Sequence, residues 1–323
     1  MKVLRALTTE APEGAVVANT GHDDAAVVRW PASCADGPYH VSTIDVITPV
    51  VDDPYTFGAV AAANALSDVY AVGGTPRFAL AFAAFPSDAL PLDVLQAILQ
   101  GGADKAREAG ALVVGGHTVK GAVPMYGLAV HGEVSARALV TQAGARPGDA
   151  LVLTKPLGAG LLVAAHRRDE LAADEEAALL ASMLRLNARA AHHMVALGAR
   201  AATDVTGFGL SGHALHVARA SGVALVLEAS ALPALPGARE RAASARVGGA
   251  ARCNLDYVAS ALSSRASDAA LRLAIDPQTS GGLLVSLEPD AADELVRQLR
   301  DEGHDAARIG EVRAGAPSLT LVP

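Results

Sequence analysis

Between Arg29 and Arg77 the chain contains no lysine or arginine, yet this stretch holds Asp36, Asp45, Asp52, Asp53 and Asp68, with Asp23 and Asp24 just before it. Some of these have plain structural explanations. Asp36 precedes Gly37 and Pro38, a turn composition, and Asp52 and Asp53 precede Pro54, the composition of a helix N-terminus. Asp23, Asp24, Asp45 and Asp68 have none. Asp45 interrupts the β-branched run VSTIDVI, and Asp68 falls within the apolar helical pattern FGAVAAANALSDVYAV, one turn after Asn64 on the same face. A carboxylate in such surroundings is costly unless a positive charge meets it. Mg²⁺ is the economical counter-charge for a cluster, because a hard cation takes carboxylate oxygens and completes its octahedron with phosphates and waters. The competing reading pairs these groups with distant arginines such as Arg77 or Arg107; for a cluster, metal is the stronger expectation.

Glycine-rich turns point toward phosphate as well. Gly115-Gly116-His117-Thr118 follows the strand pattern ALVV, and TDVTGFGLSG, from Thr203 to Gly212, follows a short strand and opens a helix, where backbone N–H groups can cradle an anion. No G-x-x-x-x-G-K-[ST] occurs, which excludes a P-loop. Gly207–Gly212 matches G-x-G-x-x-G, but the preceding strand carries Asp204 and Thr206 where a dinucleotide-binding strand is a continuous apolar run. An aspartate three residues before the first glycine would repel a pyrophosphate unless a metal lay between them, so Asp204 reads as a further metal ligand. His213-x-x-His216 lacks a nearby cysteine or third histidine and reads as a packed or solvated helix face. Neither Cys34 nor Cys253 has a neighbouring base to activate it.

The elements that must position these groups divide into two units. Over the first 135 residues, strand-length runs at 25–30, 39–46, 78–85, 111–116 and 126–134 alternate with helical patterns at about 55–72 and 91–109. Thr141–Ala150, with Gly144, Pro147 and Gly148, breaks the pattern, giving expected domains 1–140 and 148–323. The second unit opens with the strand LVLT and contains one long helix over about 175–197, then strand, helix and strand at 199–230. It closes with the strand LLVSL, a helix at 290–303 and a final strand pair. The chain has 323 residues, 51% hydrophobic and 19% charged, enough for two cores. Its 26 basic against 34 acidic residues, net −8, argue against nucleic acid or an anionic membrane surface. No run approaches a membrane span, and the opening MKVLRALTTEAPEG is too short in apolar length for a secretory signal, so a cytoplasmic location is expected.

Read together, Asp23-Asp24-Ala25-Ala26-Val27, STIDVITPVVDDPYTFGAVAAANALSDVYAVGGTP, GGHTV, TDVTGFGLSGH and DPQTSGGLL at 276–284 resemble, in order and approximate spacing, the selenophosphate synthetase (selenide, water dikinase) family of the aminoimidazole ribonucleotide synthetase-like superfamily. The resemblance covers nearly the whole chain from Asp23. It implies an α+β fold of two domains, the first with a mixed or antiparallel sheet, the nucleotide site and a homodimer interface. It further implies conversion of ATP, selenide and water to selenophosphate, AMP and phosphate. On matching positions, Asp24, Asp68 and Asp204 would bind Mg²⁺. Gly21, His22, Asp23, Asp45, Asp68, Gly116, His117 and Thr118 would line the ATP site. The family's glycine-rich segment with cysteine or selenocysteine and a following lysine has no match here, so no catalytic residue is carried over. The expectation is that this segment lies upstream of Met1, behind a selenocysteine codon read as a stop, and that the chain without it binds nucleotide but makes little selenophosphate. The alternatives are a catalytically impaired nucleotide-binding homologue and a superfamily kinase or ligase with another acceptor; DPQTSGGLL argues against the last.

Overall fold

The computed structural model describes residues 16–18, 23–29, 38–244 and 248–323. Gly21, His22, Cys34 and Asp36 therefore lie outside the described residues. The first half is a six-stranded mixed sheet, built from β1 (Val16–Ala18), β2 (Ala26–Val28), β3 (Tyr39–Ile47), β4 (Thr75–Phe85), β5 (Leu112–Lys120) and β6 (Met125–Val134). The order is β1-β2-β3-β6-β4-β5, with only β4 and β5 parallel. Helix α1 (Pro54–Ala71) follows β3, and α2 (Leu92–Glu108) follows β4.

The second half is a seven-stranded mixed sheet made of β7 (Ala150–Leu153), β8 (Ala201–Asp204), β9 (Ala224–Glu228), β10 (Leu262–Ser264), β11 (Leu283–Leu287), β12 (Ala307–Arg313) and β13 (Ser318–Val322), in the order β10-β13-β9-β12-β7-β11-β8. Its helices are α3 (Ala159–His166), α4 (Ala173–Leu184), α5 (Ala188–Ala196), α6 (Gly209–Ser221), α7 (Ala238–Ser244), α8 (Gly249–Val258), α9 (Asp268–Ile275) and α10 (Pro289–Asp301). The expected α+β class is the observed one. β8 and β9 flank α6 in sequence but are not neighbours in the sheet, so Gly207–Gly212 does not belong to a dinucleotide-binding βαβ unit.

Two expectations need correction. The single helix over 175–197 is two, α4 and α5. At the break Arg185 has an extended backbone (φ −71°, ψ 124°), and its carbonyl accepts from Lys155 Nζ at 2.6 Å. Asn187 is drawn off the helix line: its Nδ2 donates to Ser67 Oγ at 2.9 Å and to the Gly281 carbonyl at 2.8 Å. These tertiary bonds override a helical pattern that is otherwise continuous. The final strands β12 and β13 do not pair with each other; β9 lies between them, antiparallel to β12 and parallel to β13.

Helix α1 occupies the centre. Asp53 caps it, accepting from the Thr56 N–H at 2.7 Å and the Thr56 hydroxyl at 2.6 Å, and Pro54 pre-sets the first turn. Every residue from Phe57 to Ala71 is buried. The helix touches α2, β3 and β6 of its own half and α4, α5 and β8 of the other, as a helix that is apolar nearly all round must. Its small residues permit this. A methyl added at Gly58 would lie 1.9 Å from the Ile98 carbonyl oxygen, and one at Gly101 would lie 2.0 Å from that of Tyr55, so α1 and α2 meet backbone to backbone.

Gly58→Ala is therefore expected to destabilise the chain by about 1–3 kcal/mol in thermal or denaturant unfolding. Gly249→Ala, where an added methyl meets nothing within 4 Å, is expected to be neutral. Equal stability of the two variants would show that the helices are not in such contact.

Candidate metal centre

Asn64, Ser67 and Asp68 sit at i, i+3 and i+4 on α1 and so share one face. Asp45 projects from β3, Asp204 ends β8, and Asp24 lies just before β2. Asp24 Oδ1 accepts from Thr203 Oγ1 at 2.8 Å and from Gln142 Nε2 at 3.0 Å, and Asp23 Oδ1 accepts from the Gln142 N–H at 3.0 Å. Thr43 Oγ1 donates to Asp68 Oδ2 at 2.5 Å. Asn64 works in two directions: its Nδ2 donates to Asp45 Oδ2 at 2.7 Å, and its Oδ1 accepts from the Ser280 N–H at 2.8 Å. One donor atom from each of Asp24, Asp204 and His213 lies within 4.8 Å of the other two.

The electrostatics set this cluster apart. Burial is the largest effect on each carboxyl, and it pushes Asp24, Asp45, Asp68 and Asp204 above the ordinary aspartate range. The charge of Asp204 adds to the shift of both Asp24 and Asp68; donors from Thr203, Gln142, Thr43 and Asn64 offset part of it. Arg77 pairs with Glu133 and Arg107 with Asp104 instead of with the cluster. Lys155 is felt electrostatically by Asp204, but its Nζ is spent on the carbonyls of Arg185 (2.6 Å) and Ser280 (2.8 Å), and burial lowers its own pKa to about 7. Burial likewise lowers His213 to about 3, so its ring is neutral.

The decisive detail is at two oxygens. Asp24 Oδ2 and Asp204 Oδ2 are both buried and, among the described residues, neither has a hydrogen-bond partner. Buried carboxylate oxygens are rarely left so. Two such oxygens, with further carboxylates nearby and no ion pair to any of them among the described residues, form a donor set that fits a hard divalent cation.

Gly116, His117 and Thr118 are placed elsewhere. They are exposed on the edge strand β5, three strands from β3, about 14 Å at ordinary strand spacing. With Leu95, Leu99 and Tyr126 they line a groove of about 660 Å³ beside α2. One chain thus gathers Asp23, Asp24, Asp45, Asp68 and Asp204 but not residues 116–118. Gln142, Thr43, Thr203, Asn187 and Lys155 escaped the sequence reading. Thr203 is signalled only by its place beside Asp204, and Gln142, in the connection between the halves, carries no local signal.

Comparison with known proteins agrees with this arrangement. Residues 22–134 match the family "AIR synthase related protein, N-terminal domain", and residues 146–321 match "AIR synthase related protein, C-terminal domain". Over 291 residues the chain is 45% identical to the selenide, water dikinase of Geobacter metallireducens, covering 90% of this chain and 84% of that protein. The chain belongs to the selenide, water dikinase family. The selenide, water dikinase of Nitratidesulfovibrio vulgaris (strain Hildenborough) is 42% identical over 333 residues, covering all of this chain and 93% of its relative. Among solved structures, thiamine-monophosphate kinase from Stenotrophomonas maltophilia superposes with a TM-score of 0.69 at 22% identity, over 99% of this chain and 94% of that one. The hydrogenase maturation protein HypE in complex with ATP gives 0.67 at 22%, over 88% and 82%. At that identity the likeness is one of fold, which this dikinase family shares with both.

The raised carboxyls make a pH prediction. A native pKa above the unfolded one means that the folded chain holds protons the unfolded chain releases, so stability is present at low pH and is lost as pH rises from 3.8 toward about 7. Without divalent cations, the thermal midpoint is expected to fall through that window, and saturating Mg²⁺ is expected to restore most of the loss. Asp276, raised by burial to about 7, contributes a part that Mg²⁺ leaves unchanged. A midpoint indifferent to Mg²⁺ at pH 8 would refute a cation site here.

Proposed function

We propose that the chain converts ATP, selenide and water to selenophosphate, AMP and phosphate, with Mg²⁺ held by Asp24, Asp68 and Asp204. The observation that carries this reading is the pair of buried oxygens on Asp24 and Asp204 that have no hydrogen-bond partner among the described residues, within a carboxylate cluster that makes no ion pair among them. When bound, Mg²⁺ supplies charge neutralisation for the polyphosphate and for the group it transfers. The chain's part is to hold the carboxylates ready. Thr43, Gln142 and Thr203 fix individual oxygens, and α1 keeps water from the side of the site that it packs. Asp23 and Asp45 are assigned to the nucleotide, with Gly21 and His22.

Gly116, His117 and Thr118 belong to the same ATP site in this reading, and a second copy of the chain brings them there. The support is the sheet face opposite α1. Ile44 and Leu80, both directly opposite Ala129 in the ladders, are 63% and 41% exposed, and Leu112 and Val114 on β5 are 60% and 59% exposed. A contiguous apolar face of this kind marks an interaction surface. We assign residues 1–140 to nucleotide and metal binding and dimerisation, and 148–323 to the C-terminal domain. No helix of the described residues is long and apolar enough to cross a membrane, and a cytoplasmic location is part of the proposal, because ATP is the substrate.

Asp68→Ala is expected to reduce selenide-dependent AMP formation by a factor on the order of 10² or more, while its far-UV circular dichroism and thermal midpoint stay close to those of the parent chain. Normal AMP formation in that variant would remove Asp68 from the site. Leu80→Glu is expected to shift the chain from dimer to monomer in sedimentation; an unchanged sedimentation coefficient would remove this face from the interface.

A further inference from the structure

Asp24, Asp204 and His213 approach one another as a two-carboxylate, one-imidazole set would around a metal. The hydrogen bonds of the ring argue otherwise. Thr206 N–H donates to His213 Nε2 at 3.1 Å. A backbone amide can only donate, so Nε2 carries no proton and its lone pair is occupied. The proton of the neutral ring then sits on Nδ1, which lies 3.5 Å from Thr203 Oγ1. Neither nitrogen has a lone pair left for a cation.

What the ring does instead follows from the Thr203 hydroxyl. Gln142 Nε2 donates to Thr203 Oγ1 at 3.3 Å, so with Nδ1–H of His213 both lone pairs of the oxygen are taken. Its single proton can go to Asp24 Oδ1 at 2.8 Å or to the Asp204 carbonyl at 3.1 Å, and the shorter, charged acceptor wins. Asp24 Oδ1 is thereby anchored by Thr203 and Gln142, which leaves Oδ2 as the free oxygen. The ring cannot easily rotate away: it is 5% exposed, with Phe208 edge-on at 5.8 Å and His216 at 5.6 Å.

We propose that His213 is a positioning residue, not a metal ligand: in its Nδ1–H form it orients the Thr203 hydroxyl toward Asp24 and so presents Asp24 Oδ2 to the cation. This role rests on the Mg²⁺ reading above, and the experiment separates the two. In the ¹⁵N-labelled chain, long-range ¹H–¹⁵N spectra are expected to show His213 Nε2 as the unprotonated nitrogen. With Mn²⁺ in place of Mg²⁺, electron spin-echo spectra are expected to show no directly coordinated nitrogen. His213→Phe is expected to weaken Mn²⁺ binding by about 10- to 100-fold, as removal of such a supporting group does. His213→Asn, which keeps an N–H near the Nδ1 position, is expected to stay within a few-fold of the parent. A directly coordinated nitrogen, a proton on Nε2, or unchanged Mn²⁺ affinity in His213→Phe would overturn the role of His213. Mn²⁺ binding that Asp204→Asn leaves intact would overturn the metal reading itself, and the role with it.

Discussion

Charge concentrated where water cannot reach it is the constraint on which the rest of this structure depends. Asp68 and Asp204 are nearly or wholly buried, Asp24 has one buried oxygen, and a carboxylate oxygen of Asp24 lies within 4.8 Å of one of Asp204. In a medium of low polarity such groups repel each other and favour protonation. The fold makes their proximity tolerable with neutral donors: Thr43 on Asp68, Thr203 and Gln142 on Asp24, Asn64 on Asp45. Neutral donors stabilise a carboxylate without cancelling its charge. An arginine in any of these places would have cancelled that charge.

This explains why α1 is built as it is. A helix that carries Asn64, Ser67 and Asp68 into the middle of the protein must be covered on every side, and only short side chains leave room for α2, two sheets and α5 around one axis. The alanines that make its sequence look nondescript are what let the polar face sit so deep. Gly58 and Gly101 extend the same logic to direct backbone contact.

Much of this was legible in the amino-acid order, because the signal was a local contradiction. Asp45 in a β-branched run and Asp68 in an alanine helix each violate the pattern around them, and the missing basic residues left the violation unresolved. The carboxylates of the centre, the Asp53 cap and the strands of both sheets apart from the three-residue β1 and β10 followed from local rules. What could not be read depends on chain pairs far apart in sequence. Gln142 reaches Asp24 across 118 positions and Asn187 reaches Ser67 across 120, and nothing local to either residue announces the partner. The Asn187 bonds, with that of Lys155 to the Arg185 carbonyl, broke the helix expected over 175–197. His213 illustrates a subtler limit: its neighbours in sequence suggest a packed helix face, which is true, but the amide that fixes its tautomer lies in the preceding turn.

Asn64 carries one last implication. Its amide grips β3 through Asp45 with one end and the Ser280 main chain with the other, and Ser280 holds a left-handed backbone (φ 50°) that a serine adopts only under constraint. Asn64 thus joins the Asn187–Ser67 and Thr203–Asp24 bonds in tying the two halves together, from the helix between them. Parting the halves would leave Asn64 beside Asp45, since both belong to the first half, but would take away the Ser280 N–H that holds the far end of the amide. The orientation of one donor in the site is therefore tied to how the two halves meet.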